Sequence, residues 1–480
     1  MNLPIIRYIL GWILSFEAVF LVLPCITAVI YKEQEGFAFL AVLLLCSVLG
    51  FLMTRKKPEN NTFYTKEGFV TVSLGWITIS VMGAIPFILN GDIPSFTDAL
   101  FETISGFTTT GASILTDVEA LAKCSLIWRS FTHWVGGMGV FVFVLAILPM
   151  AGGSTMNLMR AESPGPSVGK LVPKIRDTAL LLYKIYFMMT LVEIVLLLFG
   201  GMPLFEALCH AFGTAGTGGF GVRNDSIAGY SDYLINVITI FMILFGVNFN
   251  VYYLMFIRKW NKAFSCEELR WYLIIIAIAV GLITFDIYGL YESLGQSLKH
   301  AAFQVASIIT TTGYSTANFD VWPQTSKIIL VFLMFIGACA GSTGGGIKVS
   351  RVVILGKSIK NELETLLHPR SVRKVYAEGR PVETEILRSV FVFMTTYFVL
   401  FALSMVVITL DGYDVTTNFT AVAATLNNVG PGLSGVGPLM NFHGFSDLSK
   451  FVLMFDMLAG RLELFPVLLC FYPPTWRRNH

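Results

Sequence analysis

Four short tracts, each centred on one glycine, constrain this chain more than anything else in it. They read Thr108-Thr109-Thr110-Gly111-Ala112-Ser113, Gly216-Thr217-Gly218-Gly219-Phe220, Thr310-Thr311-Thr312-Gly313-Tyr314-Ser315 and Asn427-Asn428-Val429-Gly430-Pro431-Gly432. Each follows a short semi-polar helix pattern and lies between two long apolar runs. The central glycines, Gly111, Gly218, Gly313 and Gly430, lie roughly a hundred residues apart, a self-similarity that marks repeated structural units. A glycine-centred loop between apolar runs points to a row of backbone carbonyls that can replace the water around a cation.

The apolar runs set the class. Of 480 residues, 55% are hydrophobic and only 13% charged, where a soluble domain carries about a quarter charged residues. A membrane span needs about 20 apolar residues. Runs of that kind fall at 5–30, 36–54, 68–90, 126–150, 179–200, 233–257, 271–291, 326–355, 386–410 and 447–472. The first is too long for the apolar core of a signal peptide and is kept as a span.

The first two runs form a pair with no glycine tract between them. The other eight form four pairs, each enclosing one tract. The expected fold is an all-α polytopic membrane protein. It has four pseudo-symmetric repeats of helix, re-entrant pore loop and helix around one pore, plus an N-terminal pair of transmembrane helices. The expected boundaries are 1–60 for the N-terminal pair, then 61–160, 161–262, 263–360 and 361–480 for the four repeats.

Basic residues orient the chain. With ten spans, Arg55, Lys56, Lys57 and Lys66 fall on one side. So do Arg160, Lys170, Lys174 and Arg176, then Arg258, Lys259, Lys262 and Arg270. Arg351 through Arg380 and the pair Arg477 and Arg478 follow on that same side. That side is the cytoplasm, and both termini lie there. The glycine tracts face the other side, with Asp92, Asp98, Asp117, Glu119, Asp225, Asp232, Asp320, Asp411, Asp414 and Asp447. These acids form either an outer mouth that concentrates cations or an ordinary solvated surface.

Stripping water from a cation demands several oxygens already aimed at it. Backbone carbonyls provide them if the chain takes dihedrals open to glycine and closed to most other residues. The candidate filter is Thr109, Thr110 and Gly111; Thr217 and Gly218; Thr311, Thr312 and Gly313; and Asn428, Val429 and Gly430. The threonine hydroxyls add oxygens at the inner end. The short helices at about 96–107, 203–213, 298–309 and 415–426 end at these tracts. Each brings a partial negative charge of up to about half an electron, which favours a cation.

A second glycine tract, Gly337 to Lys348, interrupts the span after the third loop. Each glycine costs about 1 kcal/mol against alanine in a helix, so the helix breaks there. The loop Gly341-Ser342-Thr343-Gly344-Gly345-Gly346 can block the pore from below and move aside; tight helix packing is the alternative. Arg461, in the last span, either faces the inner cavity, where it tunes cation passage or meets this tract's carbonyls, or pairs with Asp456 or Glu463. Lys348 lies at the tract's end. Glu17 and Glu193 also fall in apolar spans, where charges are expensive. The seven cysteines form no CxxC pair and read as small buried hydrophobes. No nucleophile, metal or cofactor constellation is present, so no enzyme is expected.

These motifs resemble those of the TrkH-type membrane subunits of bacterial potassium uptake systems, within the Trk/Ktr/HKT superfamily. The resemblance rests on Thr109-Thr110-Gly111, Gly216 to Phe220, Thr311 to Tyr314, Asn427 to Gly432, the Ala340–Lys348 loop and Gly460-Arg461-Leu462-Glu463. It covers nearly the whole chain, and the extra N-terminal pair is similar to the TrkH branch. The resemblance implies a homodimer in the bacterial inner membrane, with one pore per subunit and potassium as the filter-bound, transported ion. It implies a cytosolic ring of TrkA-type nucleotide-binding regulatory subunits, no nucleic acid partner, and a gate at Gly341–Gly346 with Lys348 and Arg461 beside it. In plant relatives a serine at the position of Gly111 goes with sodium preference, and the glycine here favours potassium. The expected function is gated potassium uptake through a pore. The alternative is a symporter that couples potassium or sodium entry to a proton or sodium gradient.

Overall fold

A computed structural model describes residues 1–59, 64–139, 175–369 and 373–477. Arg160, Lys170, Lys174, Arg370, Arg478 and the 140–150 half of the fourth expected span lie outside the described residues. The fold is all-α, apart from a two-residue antiparallel hairpin of β1 (Tyr376–Ala377) and β2 (Arg380–Pro381). This is the expected class.

The N-terminal pair comprises α1 (Leu3–Phe20), continued by α2 (Val22–Tyr31), and α3 (Gly36–Thr54). Glycines let these helices touch: a methyl group at Gly11 would lie 2.7 Å from Met53 Cβ, and one at Gly50 2.4 Å from Ser15 Oγ. Small residues are the usual means of close helix approach in lipid.

Four units follow. The first has α4 (Thr65–Leu89), a short α5 (Phe96–Phe107) and α6 (Lys123–Met138). The second has α7 (Ile175–Phe199), a short α8 (Leu204–Gly216), then α9 (Asp232–Phe245) and α10 (Phe249–Phe256), with α11 (Trp260–Phe264) after them. The third has α12 (Glu267–Asp286), a short α13 (Leu294–Ile309), α14 (Gln324–Ile336) and α15 (Val349–Leu367). The fourth has α16 (Thr384–Ile408), a short α17 (Val415–Leu426), α18 (Asp447–Arg461), α19 (Phe465–Phe471) and α20 (Pro473–Trp476).

The four short helices are buried towards their C-terminal ends, and the long ones surround them. Large apolar side chains such as Phe199 and Phe285 point outward, more than four-fifths exposed, as suits a surface that meets lipid rather than water. Among the described residues, six helices are long and apolar enough to cross a membrane, with a seventh if one bent pair counts as a span.

Two expected spans are not continuous helices. The run at 233–257 bends by 91° between α9 and α10. Asn248 caps α10 by accepting from Asn250 N at 2.9 Å. The run at 447–472 breaks after Arg461, where Glu463 and Leu464 both take positive φ and Phe465 N donates to Glu463 O at 2.8 Å. That three-residue turn is rare for a leucine. The expected break near Gly337 is present. Cys339 N donates to Gly246 O and Phe249 N to Gly341 O, both at 3.0 Å. The two broken helices thus satisfy each other's backbone, the condition under which irregular chain is tolerated at this depth.

Candidate functional site: a ring of four loops and the tract beneath it

The four short helices end in one and the same way. The N–H of Thr109, Thr217, Thr311 and Asn428 donates three residues back, to Gly106, Thr214, Ile308 and Thr425, at 3.0 to 3.1 Å. The next N–H, of Thr110, Gly218, Thr312 and Val429, reaches five residues back, to Ser105, Gly213, Ser307 and Ala424, at 2.8 to 2.9 Å. This double closure is the Schellman cap, which needs one residue in the left-handed region. Here that residue is not glycine: Thr109, Thr217, Thr311 and Asn428 have φ of 56°, 54°, 58° and 55°. Such a conformation costs about 1–3 kcal/mol at each site and persists only where its surroundings over-determine it.

Two residues further on, φ is positive again, at Gly111 (77°), Gly219 (77°), Gly313 (86°) and Gly430 (98°). The geometry therefore corrects the register of the second loop. Its central glycine is Gly219, and Gly218 stands where Thr110, Thr312 and Val429 stand. Gly218 lacks a side chain for another reason, since a methyl there would lie 2.2 Å from the His133 ring.

The loops close on one another in chain order. A methyl on Gly111 would lie 1.9 Å from Gly218 O, on Gly219 1.9 Å from Thr312 O, on Gly313 2.2 Å from Val429 O, and on Gly430 2.7 Å from Thr110 O. The four carbonyls met are the equivalent ones. Loop one touches two, two touches three, three touches four and four returns to one.

Side chains brace the ring from behind. Glu102 accepts from Ser113 Oγ at 2.9 Å and Ile114 N at 3.0 Å. It is paired with the buried Arg129, whose Nε and Nη2 reach it at 2.9 and 2.7 Å. The Arg129 guanidinium also covers the Phe220 ring of the second loop at 4.1 Å. In the third loop a neutral Gln304 accepts from Thr316 N at 3.2 Å, and in the fourth Thr420 accepts from Leu433 N at 2.9 Å. His133 bridges the first two loops. Phe220 N donates to its Nε2 at 3.3 Å, which leaves Nδ1–H to donate to Gly106 O at 2.7 Å.

On one side the ring opens into a vestibule of about 190 Å³, lined by all four central glycines together with Ser113, Asn224 and Asn441. The lining carries Arg129 and Arg223 and, among the described residues, no carboxylate. Two acids stand just behind this lining, where Asp117 accepts from Asn224 Nδ2 at 2.8 Å and Glu119 from Asn224 N at 3.0 Å. Three other acids are held by structural partners: Asp98 with Lys450 at 2.6 Å, Asp232 with Lys299 at 2.7 Å, and Asp320 with Ser434 N at 3.1 Å.

On the other side lies the second glycine tract. Gly345 N donates to Thr311 Oγ1 at 2.6 Å. Gly344 and Gly345 sit where a methyl would strike Thr310 O at 2.8 Å and Asn427 O at 2.3 Å. Lys348 Nζ binds Gly344 O. Arg461 donates to Thr343 O at 2.8 Å and to Gly137 O at 2.7 Å, so of its expected alternatives it takes the tract's carbonyls. Glu463 pairs with Arg351 and Asp456 accepts from Ser404 at 2.8 Å.

A protein-family model, TrkH, described as a cation transport protein, matches residues 34–476. The chain belongs to the TrkH family of cation transport proteins. It is 36% identical to the Trk system potassium uptake protein TrkH of Salmonella typhimurium, over 99% of this chain and 100% of that one. It is 34% identical to the Trk system potassium uptake protein TrkG of Escherichia coli, over 99% of each. Its fold matches the crystal structure of the potassium transporter TrkH from Vibrio parahaemolyticus with a TM-score of 0.89 at 32% identity, covering 99% of this chain and 100% of that one. The family places the chain among membrane transporters rather than enzymes.

All the filter and tract residues expected from sequence come together in this TrkH-family fold. Glu17 and Glu193 do not join them; both are buried in the helices, Glu193 beside Thr214 of the second short helix. Six contributors escape a sequence reading: Glu102, Arg129, His133, Gln304, Thr420 and Glu268. Glu268 accepts from Ala340 N at 2.7 Å and Ser350 N at 3.1 Å, gripping the tract at both ends. Its only sequence signal is an acid in the first turn of a helix, which says nothing of a partner some seventy residues away.

Proposed function

We propose that this protein takes up potassium across the bacterial inner membrane through the ring, with Thr109, Thr110, Gly111, Thr217, Gly218, Thr311, Thr312, Gly313, Asn428, Val429 and Gly430 as its filter. The observation that carries the reading is the cyclic closure of four equivalent carbonyls, each held at a fixed height by the same helix cap. Preset carbonyls offset the loss of an ion's hydration shell. Four helix C-termini behind them add negative potential. The names of the relatives, potassium uptake proteins all, support the choice of ion.

In this reading Gly341–Gly346 is the gate, held shut by Lys348, Arg461 and Glu268. Both termini are cytoplasmic. The working unit is a homodimer, controlled by a cytosolic ring of TrkA-type nucleotide-binding subunits that acts on the basic cytoplasmic face.

The test is ion flux into vesicles that contain the purified protein. Potassium and rubidium are expected to enter and sodium to enter more slowly. Equal entry of potassium and sodium overturns the filter assignment. Potassium entry that follows an imposed proton gradient, at fixed membrane potential, overturns the pore in favour of a symporter.

A further inference from the structure

The residues at the left-handed cap positions, Thr109, Thr217, Thr311 and Asn428, are equivalent by backbone conformation, yet their side-chain oxygens have different partners. Thr109 Oγ1 and Asn428 Oδ1 are fully buried and have no hydrogen-bond partner among the described residues. The Asn428 orientation is set, since its Nδ2 donates to Thr110 Oγ1 and to Met457 O, both at 2.9 Å. Thr217 Oγ1 turns back to Gly216 O at 2.6 Å. Thr311 Oγ1 accepts the Gly345 N–H.

Buried polar oxygens left without partners are costly and rare, and each one asks for an explanation. A cation at the inner end of the ring supplies one. The same oxygen of Thr311 is then wanted twice. With the tract in place, a peptide N–H points its positive end at it. Lys348 is bound one residue away at Gly344 O, and Arg461 at Thr343 O. A permeating cation on that oxygen would face this donor and these charges at close range.

We propose that Thr311 Oγ1 is a shared ligand, serving a monovalent-cation site at the inner end of the ring when the tract is withdrawn and the Gly345 amide when it is in place. Cation occupancy and tract docking therefore oppose each other. By linkage, whatever factor the cation takes from docking, docking takes from the cation's affinity. The permeant ion itself helps to open the path. This rests on the reading of the ring as a cation filter.

Hydrogen exchange read by mass spectrometry on the full chain in lipid tests it. The peptide spanning 337–348 is followed in potassium chloride and in choline chloride at equal ionic strength, choline being too large for the ring. The amides of the tract should exchange about fivefold faster in potassium, the factor one ordinary hydrogen bond is worth. Thr311→Val removes the acceptor; exchange should then be fast in both salts and the salt difference should vanish. Thr109→Val removes an unpartnered oxygen but keeps the Gly345 contact. It should weaken the potassium effect without raising exchange in choline. Equal exchange of the unsubstituted protein in the two salts, with potassium flux intact, overturns the shared ligand and leaves the pore standing. Absence of potassium flux overturns both. The salt comparison needs no variant, so a misfolded Thr311→Val does not stop the test.

Discussion

Replacing Gly219 by alanine separates two effects that glycine substitutions usually mix. The first is backbone strain. Gly219 has φ +77°, where an L-residue costs about 1–2 kcal/mol. The second is overlap. The new methyl would stand 1.9 Å from Thr312 O, against an ordinary carbon–oxygen contact of about 3.3 Å or more. Thr312 cannot yield by turning a side chain, because the obstacle is a carbonyl whose own N–H is tied to Ser307 O at 2.8 Å. The third loop must move outward by more than an ångström, and one of the four carbonyls leaves the ring.

Gly412 supplies the control. It also has φ +77°, and a methyl there meets nothing within 4 Å. Gly412→Ala carries the strain alone. Both variants should lose similar thermal stability from strain. Only Gly219→Ala should change selectivity, and a shift of about 1.4 kcal/mol between potassium and sodium is already tenfold. The assay is the potassium-to-sodium flux ratio in vesicles, with thermal unfolding in detergent alongside. A Gly219→Ala protein that keeps its selectivity refutes the ring geometry, as does a Gly412→Ala protein that loses it equally.

Other expectations follow from particular contacts. Glu102→Gln leaves the Arg129 charge buried without its partner, and breaking such a pair costs about 3–5 kcal/mol. The double change Glu102→Gln with Arg129→Gln should recover most of that loss in a thermal melt, since Gln304 does the same job without charge. Glu268→Ala frees two amides that hold the glycine tract. Hydrogen bonds to a charged group are worth about 1.5–3 kcal/mol, so potassium flux without any cytosolic partner should rise about tenfold or more, and flat flux in a folded protein would discard the clamp. Asp117 has its carboxyl pulled below the usual range, chiefly by the hydrogen bond from Asn224 that joins the first and second loops. A depressed folded pKa gives stabilisation that is present above the unfolded pKa, about 3.9, and is lost as pH falls through the folded value. Resistance of the segment around Asp117 to proteolysis should therefore hold from neutral pH to about 4 and decline only below. Asp117→Asn should remove that acid dependence.

How far the sequence reveals this molecule depends on whether the controlling force is local. The short helices were legible to within a few residues, because apolar spacing and the glycines after them are local signals. The second-loop register was not. Gly216, Gly218 and Gly219 crowd one tract, and only the His133 ring and Thr312 O, both distant in sequence, decide which glycine does which task. The 91° bend at Gly246 was hidden for the same reason: its orphaned backbone groups are satisfied by Cys339 and Gly341 of the distant glycine tract. The left-handed turn at Leu464 contradicts every local preference of leucine. The acids on the loop side read in sequence as either a cation-attracting mouth or a solvated surface; distant partners decide between them, for Asp98, Asp232 and Asp320 are held by Lys450, Lys299 and Ser434 while Asp117 and Glu119 bond Asn224 of the vestibule wall.

A ring made by one chain differs in kind from a ring of identical subunits, and the contacts show what the difference permits. The backbone keeps near-fourfold order, with four like caps and glycine φ values between 77° and 98°, as the proposed ion at the centre would need of its oxygens. The side chains behind it depart from that order. A charged pair braces the first loop, a histidine ties the second to the first, and an amide from the glycine tract takes the third loop's hydroxyl. A gate built symmetrically would need four tracts under four loops, and the four post-loop helices would each have to surrender their backbone hydrogen bonds at the same depth. Here one tract suffices, and its orphaned groups are absorbed by the break at Gly246 and by Arg461. On the proposed reading, the departure from symmetry is the feature that lets a single segment act as a gate on the ion path without dismantling the ring that selects the ion.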